Sequence, residues 1–294
     1  MPEISYQERT KYLKDAFEEV VTTNEKTVAT LNKGLAKEYA AMLKQLKIVL
    51  SSAHEKYAVD GRLTWVELQR YDRIKKLEAE IDETIKNYYA PIRKQVVLSQ
   101  KKVIEQTYTG SMEALNTAAG LDIDPYITRE QIKEMLDKPW MGVALLALLF
   151  YWQTRFTDQV KNDIRRGTLG SGSTYEDNIN NLKDRITKEY AGLGRTNEDI
   201  AHSYQTDTQQ SAFNRAYEKG AVVTKEWQTM QDEKVRDSHA AMLGQVVDAD
   251  DMFTFAEGIN AGEQTDGPAI SGIPGEDINC RCWMSPSIRL PGEE

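Results

Sequence analysis

Apolar residues recur at steps of three and four through much of the first half of the chain. Between residues 71 and 96 they fall at Tyr71, Ile74, Leu77, Ile81, Ile85, Tyr88, Ile92 and Val96, a spacing that keeps one stripe on one face of an α-helix. Residues 6–50 carry a similar stripe through Leu31, Leu35, Met42, Leu46 and Val49, with Gly34 as a weak point, and Asp60-Gly61 marks a turn. Two such stripes predict a long helical hairpin whose apolar faces must be covered, because isolated helices are marginal in water. Pro91 lies inside the second helix, where its missing donor and its clash with the preceding turn predict a kink or a division.

The small, polar stretch at 110–125 predicts a break, followed by a helix near 128–136. Pro139 then sits at the start of an apolar helix that includes 141–152 (MGVALLALLFYW) and continues through 166. Twelve apolar residues fall short of the roughly 20 that cross a bilayer, so a buried helix and no membrane association are expected. The glycine-rich 167–173 predicts a turn, and a helix should follow at 176–190. A further helix is expected at 197–219, with Thr196 as N-cap, Glu198 and Asp199 in its first turn, and Gly220 as its stop. Beyond Gly220 short apolar pieces alternate with Gly, Pro and Asp, the texture of short strands and loops. The chain therefore reads as mainly α: a long N-terminal helical hairpin or bundle at 1–110, a helical middle region at 111–220 and a small α+β module at 221–294.

Charge sharpens the division near 220. The formal charge is -9, and residues 221–294 hold 14 Asp and Glu against 5 Lys and Arg, which leaves 32 of each sign before them. A protein whose main task is gripping nucleic acid needs a basic domain to neutralise phosphates, so that class is disfavoured and the basic run at 93–102 (RKQVVLSQKK) reads as a solvated helix face. A hydrophobic content of 40% excludes wholesale disorder. Cys280 and Cys282 are too few for a disulfide scaffold, and a bridge between residues two apart is strained, so reduced thiols are expected. The first residues lack the apolar core of a signal peptide.

The unusual side chains gather in the acidic module: Trp227, Asp232, Val235, Arg236, His239, Gly244 and then Asn279-Cys280-Arg281-Cys282. One imidazole and two thiolates suit zinc, with Asp232, Asp237 or water as a fourth ligand. The other reading makes the cysteines small buried apolar residues and His239 a hydrogen-bonded tether. Residues 256–280 hold few large apolar side chains, so this loop needs an anchor, and Trp227, Asp232, Arg236, His239, Cys280 and Cys282 are expected to converge there, with Arg236 on Asp232 or on backbone carbonyls. No nucleophile elbow, phosphate-cradling glycine loop or HExxH helix accompanies them, which argues against an enzyme.

The segment TDTQQSAFNRAYEKGAVV (206–223), followed by Trp227, Asp232, Val235-Arg236, His239, Leu243-Gly244 and Asn279-Cys280-Arg281-Cys282, resembles the phage head-morphogenesis family, the Mu protein F-like minor head proteins of tailed bacteriophages. The resemblance covers roughly residues 130–285. It departs from the family in Thr206-Asp207, where a Thr-Glu pair is usual, and at 235–239, where some members carry an additional Cys-x-x-Cys. It implies a minor structural protein of the virion, on the capsid interior at the portal vertex and in the host cytoplasm during assembly, without enzymatic activity. The implied partners are the portal protein, the major capsid or scaffolding protein and, non-specifically, packaged DNA. The implied roles are head assembly and DNA packaging or ejection. A competing reading is a metal-dependent nuclease or other hydrolase built on Asp232, Asp237, His239, Cys280 and Cys282.

Overall fold

The computed structural model describes residues 5–289, and the protein is mainly α with a small strand-containing C-terminal region. Helix α1 (Tyr6–Tyr57) passes Gly34 unbroken and buries Leu13, Phe17, Val21, Val28, Leu35, Tyr39, Met42, Leu46 and Leu50. Strand β1 (Arg62–Leu63) and helix α2 (Trp65–Gln69) follow, the latter capped by Thr64, whose hydroxyl accepts from the Glu67 amide at 3.3 Å. Helix α3 (Arg73–Ala119) runs through Pro91 as one element. Its buried stripe departs from the expected one at two places. Tyr71 lies in the turn before the helix with φ of 53° and is 81% exposed, and Tyr89 rather than Tyr88 is fully buried.

Three expected boundaries are corrected. Residues 110–119 are helical, because Gly110 is a close-approach residue and not a breaker: a Cβ there would meet the Val20 side chain at 2.5 Å. After α4 (Arg129–Asp137), closed by a Thr128–Gln131 capping box, a tight turn joins Trp140 to Val143 through two backbone hydrogen bonds. Helix α5 (Leu145–Thr168) therefore starts at Leu145 and not beside Pro139. The apolar run at 141–152, expected to be buried, is instead mostly exposed. Within it Leu145 and Leu149 are covered, while Val143, Leu146, Phe150 and Tyr151 are 41%, 57%, 54% and 60% exposed; burial resumes further along α5 at Phe156 and Val160. Strand β2 (Ser173–Thr174) pairs antiparallel with β1. Helix α6 (Tyr175–Glu218) is one element where two were expected. Gly192 within it serves packing, since a Cβ there would strike the Trp152 ring at 2.9 Å, and nearby the Gly194 backbone carbonyl accepts from Asn32 Nδ2 at 3.3 Å. Thr196 is accordingly an interior residue and not a cap.

Beyond α6 come β3 (Val222–Thr229), α7 (Asp237–Ala240), β4 (Val246–Asp248), β5 (Phe253–Thr254), β6 (Gln264–Thr265), α8 (Pro274–Asp277) and β7 (Cys282–Arg289). An antiparallel sheet runs in the order β4-β3-β7, and β5 pairs with β6. The chain forms two compact units, neither continuous in sequence. The first comprises Met1–Ala29, Leu98–Leu145 and Thr196–Glu294; the second comprises Thr30–Val97 and Leu146–Arg195. In the first, the sheet shares one core with helical segments: Phe17, Met112 and Phe213 join Trp227, Met242, Phe253 and Met284, and the Phe17 and Phe213 rings stack at 5.6 Å. The second holds a buried polar chain. Tyr39 Oη donates to Tyr89 Oη at 3.3 Å, Tyr89 donates to Glu189, and Arg155 meets Glu189 at 3.3 Å.

Candidate functional site

The first unit gathers a buried histidine and both cysteines of the chain. Antiparallel pairing of β3 with β7 sets Thr229 opposite Cys282 and Trp227 opposite Met284. Just before β7, Asn279 adopts φ of 55°, a left-handed conformation that asparagine tolerates better than most residues. This bend and the start of the strand bring Cys280 and Cys282 to one imidazole. His239 Nδ1 lies 3.7 Å from Cys280 Sγ and 3.3 Å from Cys282 Sγ. All three side chains are buried. Trp227 meets the imidazole edge-on at 5.6 Å, Phe255 lies nearly parallel to it at 6.0 Å, and Phe253 packs on Trp227 at 5.3 Å.

The other ring nitrogen faces a carboxylate. His239 Nε2 lies 3.0 Å from Glu276 Oε2, and Glu276 also accepts from Ser238 Oγ at 3.0 Å and Asn260 Nδ2 at 2.6 Å. Burial pushes the Glu276 carboxyl up, but these donors and the imidazole outweigh it and hold the group below its ordinary value. Burial opposes protonation of His239, yet Cys280 and Glu276 more than offset it and raise its pKa. The Cys280 thiol is pushed well above its usual value by its hydrogen bond with Cys282 and by burial. With Nε2 against a carboxylate, the tautomer with a proton there leaves the Nδ1 lone pair aimed at the sulfurs.

The loop before Cys280 is fastened from several sides. The Asp277 carboxylate accepts from Ser271 N at 2.9 Å, Ser271 Oγ at 2.7 Å and Gly272 N at 2.7 Å, and its own carbonyl accepts from Cys280 N at 3.3 Å. Asn279 N donates to Asp199 of α6 at 2.7 Å. Arg236 donates to the Glu276 carbonyl at 3.4 Å and to that of Ile278, so of the two partners expected for it the backbone carbonyls are the ones it meets. Asp232 instead pairs with Arg281 at 2.6 Å, partly exposed, and Asp237 lies exposed on α7. Neither joins the cluster: among the described residues, the group able to share an ion is His239, Cys280 and Cys282. Val235 is half-buried in the turn closed by its own amide on the Asp232 carbonyl, and Gly244, at φ of 80°, donates to the Trp227 carbonyl at 2.9 Å where the chain turns back toward β4.

Glu276, Asp277, Asp199, Phe253 and Phe255 belong to this site without having been anticipated. Two faint signals existed: the alternation Phe253-Thr254-Phe255, and a pair of acids directly behind Pro274. Gln210, inside the 206–223 segment, was likewise missed as an anchor. It accepts from the buried Lys225 Nζ at 2.9 Å and donates to the Ala249 carbonyl at 2.6 Å. Beside the cluster lies a cavity of about 500 Å³ lined by Asn24, Glu25, His202, Lys234, Cys280 and Arg281 among others. Burial drives His202 down to about 4, so it is neutral at physiological pH.

The family described as Phage Mu protein F like protein matches residues 158–285, a span that holds every member of this cluster. Across that span the chain is similar to the phage Mu protein F-like family. Three relatives resemble the chain beyond or within this Mu F-like region. The minor head protein GP7 of Bacillus phage SPP1 is 22% identical over 97% of this chain and 87% of its own length. The NAD(+)–arginine ADP-ribosyltransferase EFV of Enterococcus faecalis is 27% identical over 73% of this chain, which spans only 42% of that protein. An uncharacterized protein of Haemophilus influenzae is 27% identical over 59% of this chain and 34% of its own length. No solved structure matches the chain.

Proposed function

We propose that this protein is a minor structural component of a tailed-phage head, acting in head assembly and in DNA packaging or ejection from the interior of the capsid at the portal vertex. The observation that carries the reading is colinearity with the SPP1 minor head protein over nearly the whole of both chains. The ADP-ribosyltransferase shares less than half of its length with this chain, so the activity in its name belongs to a protein with much that is not shared. The cluster also favours a fastening role over hydrolysis of a polymer. Its three side chains are walled by Trp227 and Phe255, and the acids a hydrolase would need, Asp232 and Asp237, point elsewhere.

Contact with a portal protein is assigned to the exposed apolar side of α5, where Leu146, Phe150 and Tyr151 lie in water in the free protein. Exposed apolar area of this kind marks association surfaces. The test is capture of the portal protein by the full chain and by a Leu146→Glu/Phe150→Glu variant, at low and high salt. Retention by the wild type at both salts and loss in the variant are expected, since apolar contact is little screened. Equal retention by the variant removes α5 from the interface, and no capture by either removes the portal as partner. Among the described residues no helix is long and apolar enough to cross a membrane.

A further inference from the structure

We propose that His239, Cys280 and Cys282 bind one zinc ion through His239 Nδ1 and both thiolates, with Glu276 orienting the histidine and solvent supplying the fourth ligand. The geometry is that of a tetrahedral site. Bonds of about 2.3 Å to sulfur and 2.0–2.1 Å to nitrogen, at the tetrahedral angle, place S and N about 3.5–3.6 Å apart. The observed separations of 3.7 and 3.3 Å bracket that edge, and all three ligand atoms lie within 4.8 Å of one another. An ion enters with small movements of three side chains.

The groups behind the histidine agree. A zinc-bound histidine commonly gives its other N–H to a carboxylate, which fixes the tautomer and raises the basicity of the metal-facing nitrogen. Glu276 lies 3.0 Å from His239 Nε2 and is itself held by Ser238 and Asn260. Three residues, Ser238 of α7, Asn260 of the 256–262 loop and Glu276 of α8, are thus spent on aiming one nitrogen at two sulfurs, more than a tether requires. Thiolate and imidazole together select zinc among the common divalent ions, whereas magnesium and calcium prefer oxygen. Both thiols are free rather than bridged. Binding displaces two thiol protons to solvent for each zinc taken up, with no change of oxidation state. The ion would clasp α7 to the segment entering β7, where residues 256–280 otherwise have little apolar core.

The full-length protein, purified without chelator, is assayed for metal by mass spectrometry, stripped, and titrated with zinc and with cobalt. About one zinc per chain is expected, with thiolate-to-cobalt absorption on cobalt loading and two protons released per zinc. Cys282→Ser or His239→Ala should lower zinc affinity by at least tenfold, and Glu276→Gln, which leaves every ligand in place, by about 10- to 100-fold. Should the ligand variants fail to fold, the wild-type cobalt spectrum and proton count still decide. Wild-type protein that takes up no zinc and shows no thiolate-to-cobalt band overturns the proposal. Zinc binding that persists in the Cys280→Ser/Cys282→Ser double variant overturns it equally, and an unchanged affinity in Glu276→Gln removes the role given to that carboxylate.

Discussion

Replacing Asp277 should loosen the loop that delivers Cys280 without touching either thiol. Its carboxylate is nearly excluded from water and collects two backbone amides and one hydroxyl within 2.7–2.9 Å. Hydrogen bonds to a charged group contribute about 1.5–3 kcal/mol each, and a buried donor left unpaired costs about 1–3 kcal/mol. Gly272 is exposed and Ser271 half-buried, so water recovers part of the loss, and Asp277→Ala is expected to cost roughly 3–4 kcal/mol. Asp277→Asn keeps one oxygen for the two Ser271 donors and loses the Gly272 amide and the charge, for roughly 1.5 kcal/mol. The chain's two cysteines are both in the cluster, so the rate of thiol modification in chelator-treated protein reads this local opening directly. When reclosing outruns modification, the rate follows the open population. Asp277→Ala should then react roughly 10²- to 10³-fold faster than wild type and Asp277→Asn about tenfold faster, at one factor of ten per 1.4 kcal/mol. Rates within threefold of wild type for the alanine variant, or equal acceleration by both, would refute the reasoning that the carboxylate's three bonds hold the loop.

Gly110→Ala places a methyl group 2.5 Å from the Val20 side chain, and overpacking of this kind should cost about 1–3 kcal/mol in equilibrium unfolding despite alanine's better helix propensity. Glu189 carries a pKa raised by burial, against the opposing effects of Tyr89 and Arg155. The folded state therefore holds its proton more tightly than the unfolded one, and this group's contribution falls as pH rises from the ordinary glutamate value of about 4.3 to the folded value. Glu189→Gln, which keeps an acceptor for Tyr89, should gain on wild type across that window and run parallel above it. Unfolding midpoints measured from pH 4 to 7 that diverge in the opposite sense would contradict this. Glu189→Ala leaves the Tyr89 hydroxyl without its acceptor and should lose about 1–3 kcal/mol at any of these values.

The helices were legible because a stripe at three- and four-residue steps survives any tertiary arrangement, and the strand-rich texture after Gly220 was legible from its turn residues. Two of the three misread boundaries share one cause, while the start of α5 was displaced by the Trp140–Val143 turn. Gly110 and Gly192 look like breakers in one dimension, but in the folded chain the lack of a Cβ lets a second helix or a tryptophan approach. The partial exposure of α5 was hidden because an all-apolar run carries no polar face to show which side is covered. At the cluster, residue types announced His239, Cys280 and Cys282, whereas Glu276 and Asp277 look like two more acids in an acidic module until α8 turns one toward the imidazole and the other back onto its own loop.

Assignment to the phage head is tested most directly by quantitative mass spectrometry of purified procapsids and mature particles from the phage that encodes this chain. The protein is expected in few copies per particle, far below the major capsid protein and comparable to the portal. Its absence from both kinds of particle, with the protein abundant in the surrounding lysate, would contradict a structural role in the head.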